Sequence, residues 1–228
     1  MAKKKGIFST VFGAVMKSIA ASNAEKEKEQ KAATQKKTAT PPKAATQAPA
    51  EWSIEFGKDG LPNYIEKNGR EWCDIGNAVQ SPNGQYFVGE GYDSSGDDCL
   101  VLLSRTEGLR RKKCDEGMEK AAVTDDGVGY VFTTEGKLHE ITASSTGVTA
   151  FNEYDDVYLD ERRCIVATDC TDYATVKIRD FKNKTTVTKK FNYADEDEAG
   201  TWDFLKLEVN GDIAKLTLPD GKVVEVEI

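Results

Sequence analysis

What the chain lacks narrows its chemistry before any motif is sought. No run of about eighteen apolar residues occurs, so no helix is predicted to span a bilayer. Neither G-x-x-x-x-G-K-[ST] nor G-x-G-x-x-G is present, which removes the usual phosphate and dinucleotide loops, and no cofactor is expected. Histidine occurs once, at His139. A Ser-His-Asp triad would rest on that single imidazole, held by a carboxylate and facing a nucleophile, and nothing in the sequence places a Ser there. His139 reads instead as a solvent-facing residue of a short strand. Metal-type Cys-x-x-Cys spacing is absent, and the five cysteines, Cys73, Cys99, Cys114, Cys164 and Cys170, are an odd number. They describe a reduced, cytosolic protein whose thiols act as small hydrophobes. A hairpin about Thr106-Glu107 would nonetheless set Cys99 opposite Cys114, within disulfide reach.

What is there is a recurring turn. Asp59-Gly60, Asn83-Gly84, Asp126-Gly127, a degraded Arg162-Arg163 and Asn210-Gly211 each follow a short apolar run, at 52–56, 77–80, 121–123, 157–159 and 205–209. A second turn follows each: Asn68-Gly69, Ser95-Gly96, Glu135-Gly136, Cys170-Thr171 and Asp220-Gly221. Asn-Gly and Asp-Gly tolerate the positive φ of a tight hairpin, so each pair of turns implies a three-strand meander. Third strands are predicted at 70–75, 99–104, 137–142, 175–181 and 222–228, and the three middle units gain a fourth at 109–114, 148–152 and 186–191. Spacings between the main turns straddle the ~40–45 residues of a four-stranded propeller blade.

Ser81-Pro82-Asn83-Gly84-Gln85-Tyr86-Phe87-Val88 resembles the strand-turn-strand of WD40-like, TolB-type β-propeller repeats. The other units match by pattern, and none carries a Trp-Asp pair in the WD40 place. The resemblance covers 51–228 and implies an all-β, small β-propeller-like repeat domain of about five sheet units. Both end units are short of an outer strand, so the ring is either incomplete or closed by the chain ends. A plain β-sandwich with regular strand spacing would give a similar pattern.

Charge divides the chain. Residues 1–50 hold ten Lys and three Glu, and the remainder carries 21 basic against 36 acidic residues. An acidic body argues against nucleic acid as its ligand, because Lys and Arg dominate phosphate binding. In 1–24, Lys3, Lys4 and Lys5 precede Ile7, Phe8, Val11, Phe12, Val15, Met16 and Ile19, which fall on one half of a helix with Lys17 opposite. An isolated amphipathic helix of this length is marginal in water and needs a surface to accept its stripe. Residues 25–50, rich in Ala, Lys, Gln, Thr and Pro without an aromatic, are predicted to be a flexible, disordered linker to the 51–228 domain. The arm has three readings. It lies on an anionic membrane surface, docks in a groove of a protein assembly as a targeting peptide, or is a secretory signal weakened by Lys17. A solvated tail or a nonspecific RNA contact remains.

In the body, Asp93-Ser94-Ser95-Gly96-Asp97-Asp98 crowds oxygen ligands, yet lacks the spacing and terminal Glu of a helix-loop-helix calcium site. It reads as a solvated hairpin tip, as does Asp195-Glu196-Asp197-Glu198. No metal site is expected. Trp72 and Trp202 read as core. Glycoside hydrolysis is the enzymatic alternative, requiring two carboxyls among Glu55, Asp160 and Glu208 about 5–9 Å apart in a central channel. The favoured expectation is a non-enzymatic protein-binding scaffold, cytoplasmic, with an unidentified protein partner. Its arm, through Lys3–Lys5 and the apolar stripe, recruits it to a membrane surface or a larger assembly.

Overall fold

The computed structural model describes residues 52–115, 117–193 and 204–228, and every regular element in them is a β-strand. The predicted helix and linker, with Lys3, Lys4, Lys5, Ile7, Phe8, Val11, Phe12, Val15, Met16 and Ile19, lie outside the described residues, as do the 195–198 acidic run and Trp202.

Among the described residues, seventeen strands form four antiparallel sheets, each a meander in chain order. The first sheet has six strands: β1 (Trp52–Phe56), β2 (Pro62–Lys67), β3 (Arg70–Gln80), β4 (Tyr86–Asp93), β5 (Asp98–Ser104) and β6 (Gly108–Cys114). The second holds β7 (Met118–Val123), β8 (Gly129–Thr133), β9 (Lys137–Ile141) and β10 (Thr146–Ala150). The third holds β11 (Asp156–Leu159), β12 (Arg163–Asp169), β13 (Tyr173–Asp180) and β14 (Thr185–Asn192). The fourth has three strands: β15 (Lys206–Asn210), β16 (Ile213–Thr217) and β17 (Val223–Glu227). All five meanders expected from the turns are present, and the first two share one sheet. Their junction is β3, which pairs with β2 through Arg70–Asp74 and with β4 through Cys73–Gln80, bending at a bulge between Ile75 and Asn77.

The sheets stack face to face, and the apolar patterning shows why. Strands β5, β8 and β12 are nearly continuous apolar runs, so both faces of each sheet need a neighbour. Alternate residues divide between two cores. From β5, Val101 and Leu103 point into the first sheet's own concavity with Ile65 and Phe87, while Leu100 and Leu102 meet Val123, Val131 and Ile141 of the second sheet. From β8, Tyr130 and Phe132 pack on Cys164, Val166 and Phe181 of the third. From β12, Ile165 and Ala167 pack on Ala214, Leu216 and Leu218 of the fourth. The first strands of successive units, β3, β7, β11 and β15, are neighbours in that order. Radially stacked meanders with inner first strands define a β-propeller-like fold.

Its two ends differ from its middle. The first sheet curls until β1 meets β6, so closely that a side chain at Gly108 would lie 2.3 Å from Trp52 Cβ. The outward face of the fourth sheet carries the Lys206–Glu208 and Lys215–Glu225 ion pairs. None of the four buried clusters among the described residues joins the fourth sheet to the first.

Candidate binding site on the main-turn face

In a meander the first and second turns lie at opposite ends of the strands, so the five main turns gather at one end of the stack. Their local chemistry is shared. In the hairpin between β3 and β4, Ser81 N–H donates to the Tyr86 carbonyl at 2.8 Å and Gly84 N–H to the Ser81 carbonyl at 2.8 Å. The buried Ser81 hydroxyl bonds Asn83 Oδ1 at 2.7 Å and accepts Tyr86 N–H at 3.0 Å. The turn between β7 and β8 repeats this with Thr124, Asp126 and Gly127. Both are type I turns closed by a left-handed glycine, with φ of 69° at Gly84 and 79° at Gly127. The degraded fourth turn has no glycine, and Asp160 does its work by accepting Arg162 N–H at 2.7 Å and Arg163 N–H at 2.9 Å.

Three pairs of successive turns are tied to one another directly. Arg105 donates to the Gly84 carbonyl at 2.9 Å and the Gly60 carbonyl at 3.4 Å, joining the first two. Asp125 Oδ1 accepts Asn83 N–H at 2.8 Å, joining the second to the third. Arg163 is buried, donates to the Gly211 carbonyl and pairs with Asp212 at 3.3 Å, joining the fourth to the fifth. Between the second and third sheets the tie is Lys184–Glu140, with Tyr130 stacked on Phe181 at 3.7 Å. Burial first, then Glu140 and Asp126, push the Tyr130 hydroxyl up to about 12, so it stays protonated.

At the second, third and fourth sheets lies a cleft of about 630 Å³, lined by residues including Asp126, Tyr130, Arg162, Phe181, Lys182 and Asp212. Its rim is charged and solvent-facing, with Arg162 and Asp212 side chains 62% and 69% exposed and 3.3 Å apart. An aromatic floor thus lies under an exposed rim of both signs.

The other sequence candidates disperse. Glu55 on β1 and Glu208 on β15 belong to the first and fourth sheets, Asp160 to the turn between β11 and β12 of the third, and none lines this cleft. Glu208 is exposed and held ionised by Lys206, the opposite of what a general acid needs. Asp93 is occupied by its own turn, accepting Ser95 N–H at 2.9 Å and Asp97 N–H at 3.1 Å and pairing with Lys112. No group of three metal-ligating side chains occurs among the described residues. His139 is a correction: it is 1% exposed, facing Val131 and the second sheet's contact with the first. Strict alternation misplaced it, because both faces of β9 are covered. Asp115 Oδ2 lies 3.1 Å from Nε2 off the hydrogen-bond direction, and neither ring nitrogen has a hydrogen-bond partner among the described residues. Trp72 packs edge-on against Trp52 at 5.2 Å. Cys99 does pair with Cys114 in backbone register, and its Sγ contacts Cys73, which the sequence spacing did not suggest.

The fold and this face define a β-propeller-like protein, consistent with the WD40-like, TolB-type pattern of its turns. No protein-family model matches the chain. No curated protein matches it either. Among solved structures it is similar to the eukaryotic initiation factor, at 14% identity and a TM-score of 0.46 over 82% of this chain and 54% of that one. It is similar also to BamB from Moraxella catarrhalis (13%, TM-score 0.41, 74% and 50%) and to the Dos1 propeller (13%, 0.38, 77% and 51%). The chain spans about half the length of these structures.

Proposed function

We propose that the chain is a non-enzymatic protein-binding scaffold, docking a protein partner on its main-turn face and positioned by its N-terminal arm. The observation that supports this most is that bonds fix the first three repeat turns to one another and the fourth to the fifth, with the Tyr130–Phe181 stack joining the second and third sheets between them beneath a charged rim. Rigid turns lower the ordering cost of binding, and a rim of Arg162, Lys182, Asp126 and Asp212 selects a partner by charge complementarity. The arm acts through effective concentration. A basic amphipathic segment on a flexible tether holds the body near a membrane or an assembly without dictating its orientation.

Copurification with the full chain and with a chain lacking residues 1–24, followed by identification of retained proteins and lipids, tests the reading. We expect the truncated chain to fold and to disperse from the membrane or assembly fraction that the full chain occupies. In the full chain, the double variant Arg162→Glu with Lys182→Glu should keep that location and lose the partner retained by the body. A truncated chain that stays where the intact one goes would overturn the tether. A double variant that retains every bound protein would overturn the docking face.

A further inference from the structure

The concavity of the curled first sheet holds a second constellation, unconnected with the turn face. Cys73 on β3 and Cys99 on β5 are both buried, and their sulfurs are 3.4 Å apart. They are not on neighbouring strands. β4 runs between them, and the residue opposite Cys99 in register is Gly91, so no side chain separates the two thiols. Packing alone would be served by two apolar residues, as elsewhere in this cluster of Ile65, Phe87, Val101 and Leu103. Here the thiols sit instead beside an ion pair, Lys112 with Asp93, both largely withdrawn from solvent, and the Lys112 ammonium also lies 5.3 Å from the Trp72 ring. A cleft of about 230 Å³ lined by Trp72, Cys73, Tyr92 and Asp93 reaches Cys73 from the surface, and Cys99 is in contact with Cys73 without lining the cleft itself.

We propose that Cys73 and Cys99 are a peroxide-reactive dithiol site, at which hydrogen peroxide drives a reversible disulfide between β3 and β5. The division of labour follows from the hydrogen bond. Either sulfur can donate across the 3.4 Å contact; with Cys73 as donor, that bond and then burial hold Cys73 protonated, while the same bond first, and Lys112 after it, lower the Cys99 thiol below its ordinary range against the opposing effect of burial. Thiolate is the attacking form. The Cys99 thiolate displaces hydroxide from peroxide, giving a sulfenic acid. The Cys73 thiol then displaces that oxygen as water, forming the S–S bond. The Cys73 proton leaves in that water, and the hydroxide takes up the proton that Cys99 gave up on ionising, so two thiols and one peroxide yield one disulfide and two waters, and an external thiol reverses the oxidation by exchange. Peroxide suits a buried pair because it is barely larger than water. Of the other described cysteines, Cys164 is fully buried and pushed up by desolvation, and Cys170 is half-buried without a neighbouring thiol. Two strand spacings separate β3 from β5, about 9–10 Å in a flat sheet. Closing the bond therefore tightens the curl at the β3 bulge.

The test uses the full chain, treated with a few equivalents of hydrogen peroxide, then alkylated in denaturant and mapped by mass spectrometry. We expect two of the five thiols to be lost, a Cys73–Cys99 linked peptide, and full recovery with dithiothreitol. With Cys73→Ser, a sulfenic acid on Cys99 should be trapped by dimedone. The same two-thiol loss should persist in Cys164→Ser. Retention of all five thiols, a Cys99–Cys114 linkage, or equal oxidation of all cysteines in the wild-type chain would each overturn the proposal. The wild-type measurement decides the matter even where Cys73→Ser fails to fold.

Discussion

Ser81 shows how one hydroxyl carries a motif. It is 1% exposed, and its oxygen both donates to Asn83 Oδ1 and accepts Tyr86 N–H. Ser81→Ala leaves a backbone donor unsatisfied in a half-buried turn, so we expect a loss of about 1–3 kcal/mol, read as a lower urea midpoint at unchanged slope. A loss within error would mean that water replaces the hydroxyl. His139 carries a different signature. Desolvation lowers its basicity, opposed by Asp115 and assisted by Lys113 and Lys137. The unfolded chain therefore takes up the proton first, near pH ~6.5, and stability present above that value falls as the pH drops toward the depressed folded value. His139→Leu should lose less stability between about pH 7.5 and pH 5.5 than the wild-type chain, measured by denaturant midpoints at the two values. Equal losses would place the acid sensitivity on carboxylates. Ser81 was legible in the sequence because turn chemistry is local. The burial of His139 was not, because alternation reports two faces and says nothing of whether each is covered.

Among the turns, identical dipeptides do different work. Gly60 and Gly127 both have left-handed φ, at 81° and 79°. A side chain at Gly60 meets open space, whereas one at Gly127 would lie 2.9 Å from the Tyr86 ring. Gly60→Ala should cost about 1–2 kcal/mol for backbone strain alone. Gly127→Ala should cost more by roughly 1–3 kcal/mol, because the ring holding the second turn against the third must move. Equal midpoints for the two variants would show that this contact between turns adds nothing. Strand positions were readable from the spacing of such dipeptides. The fusion of the first two units was not, since β3 carries no turn residues at its bend, only Gly76 within a bulge that pairing with β2 and β4 defines. The fourth main turn was recognisable only by its place in the series, its glycine role having passed to the Asp160 carboxylate. The candidate cleft was legible only as five turns, because its floor joins Tyr130 and Phe181 from different sheets.

Taken together, the sheets form a stack with two unlike ends, and this has a consequence for cooperativity. In a closed ring every sheet has two neighbours. Among the described residues the fourth sheet has one buried face, a charged outer face and three strands, and its main-turn ties to the third sheet are the buried Arg163 and, at the surface, Arg162 with Asp212. Stacks stabilised by nearest neighbours open from the end with the fewest contacts. Hydrogen exchange should therefore show β15–β17 less protected than β4, β5, β8 and β12, with the curled first sheet guarded by its own concave core. Arg163→Met should sharpen the gradient. Its partner Asp212 is largely exposed and contributes little by charge, so the loss is mainly the bond to the Gly211 carbonyl, about 1–2 kcal/mol. That loss should appear as faster exchange in the fourth sheet and leave β4 and β5 unchanged. Uniform protection across all four sheets, unmoved by Arg163→Met, would mean instead that the stack closes in solution through contacts between its ends.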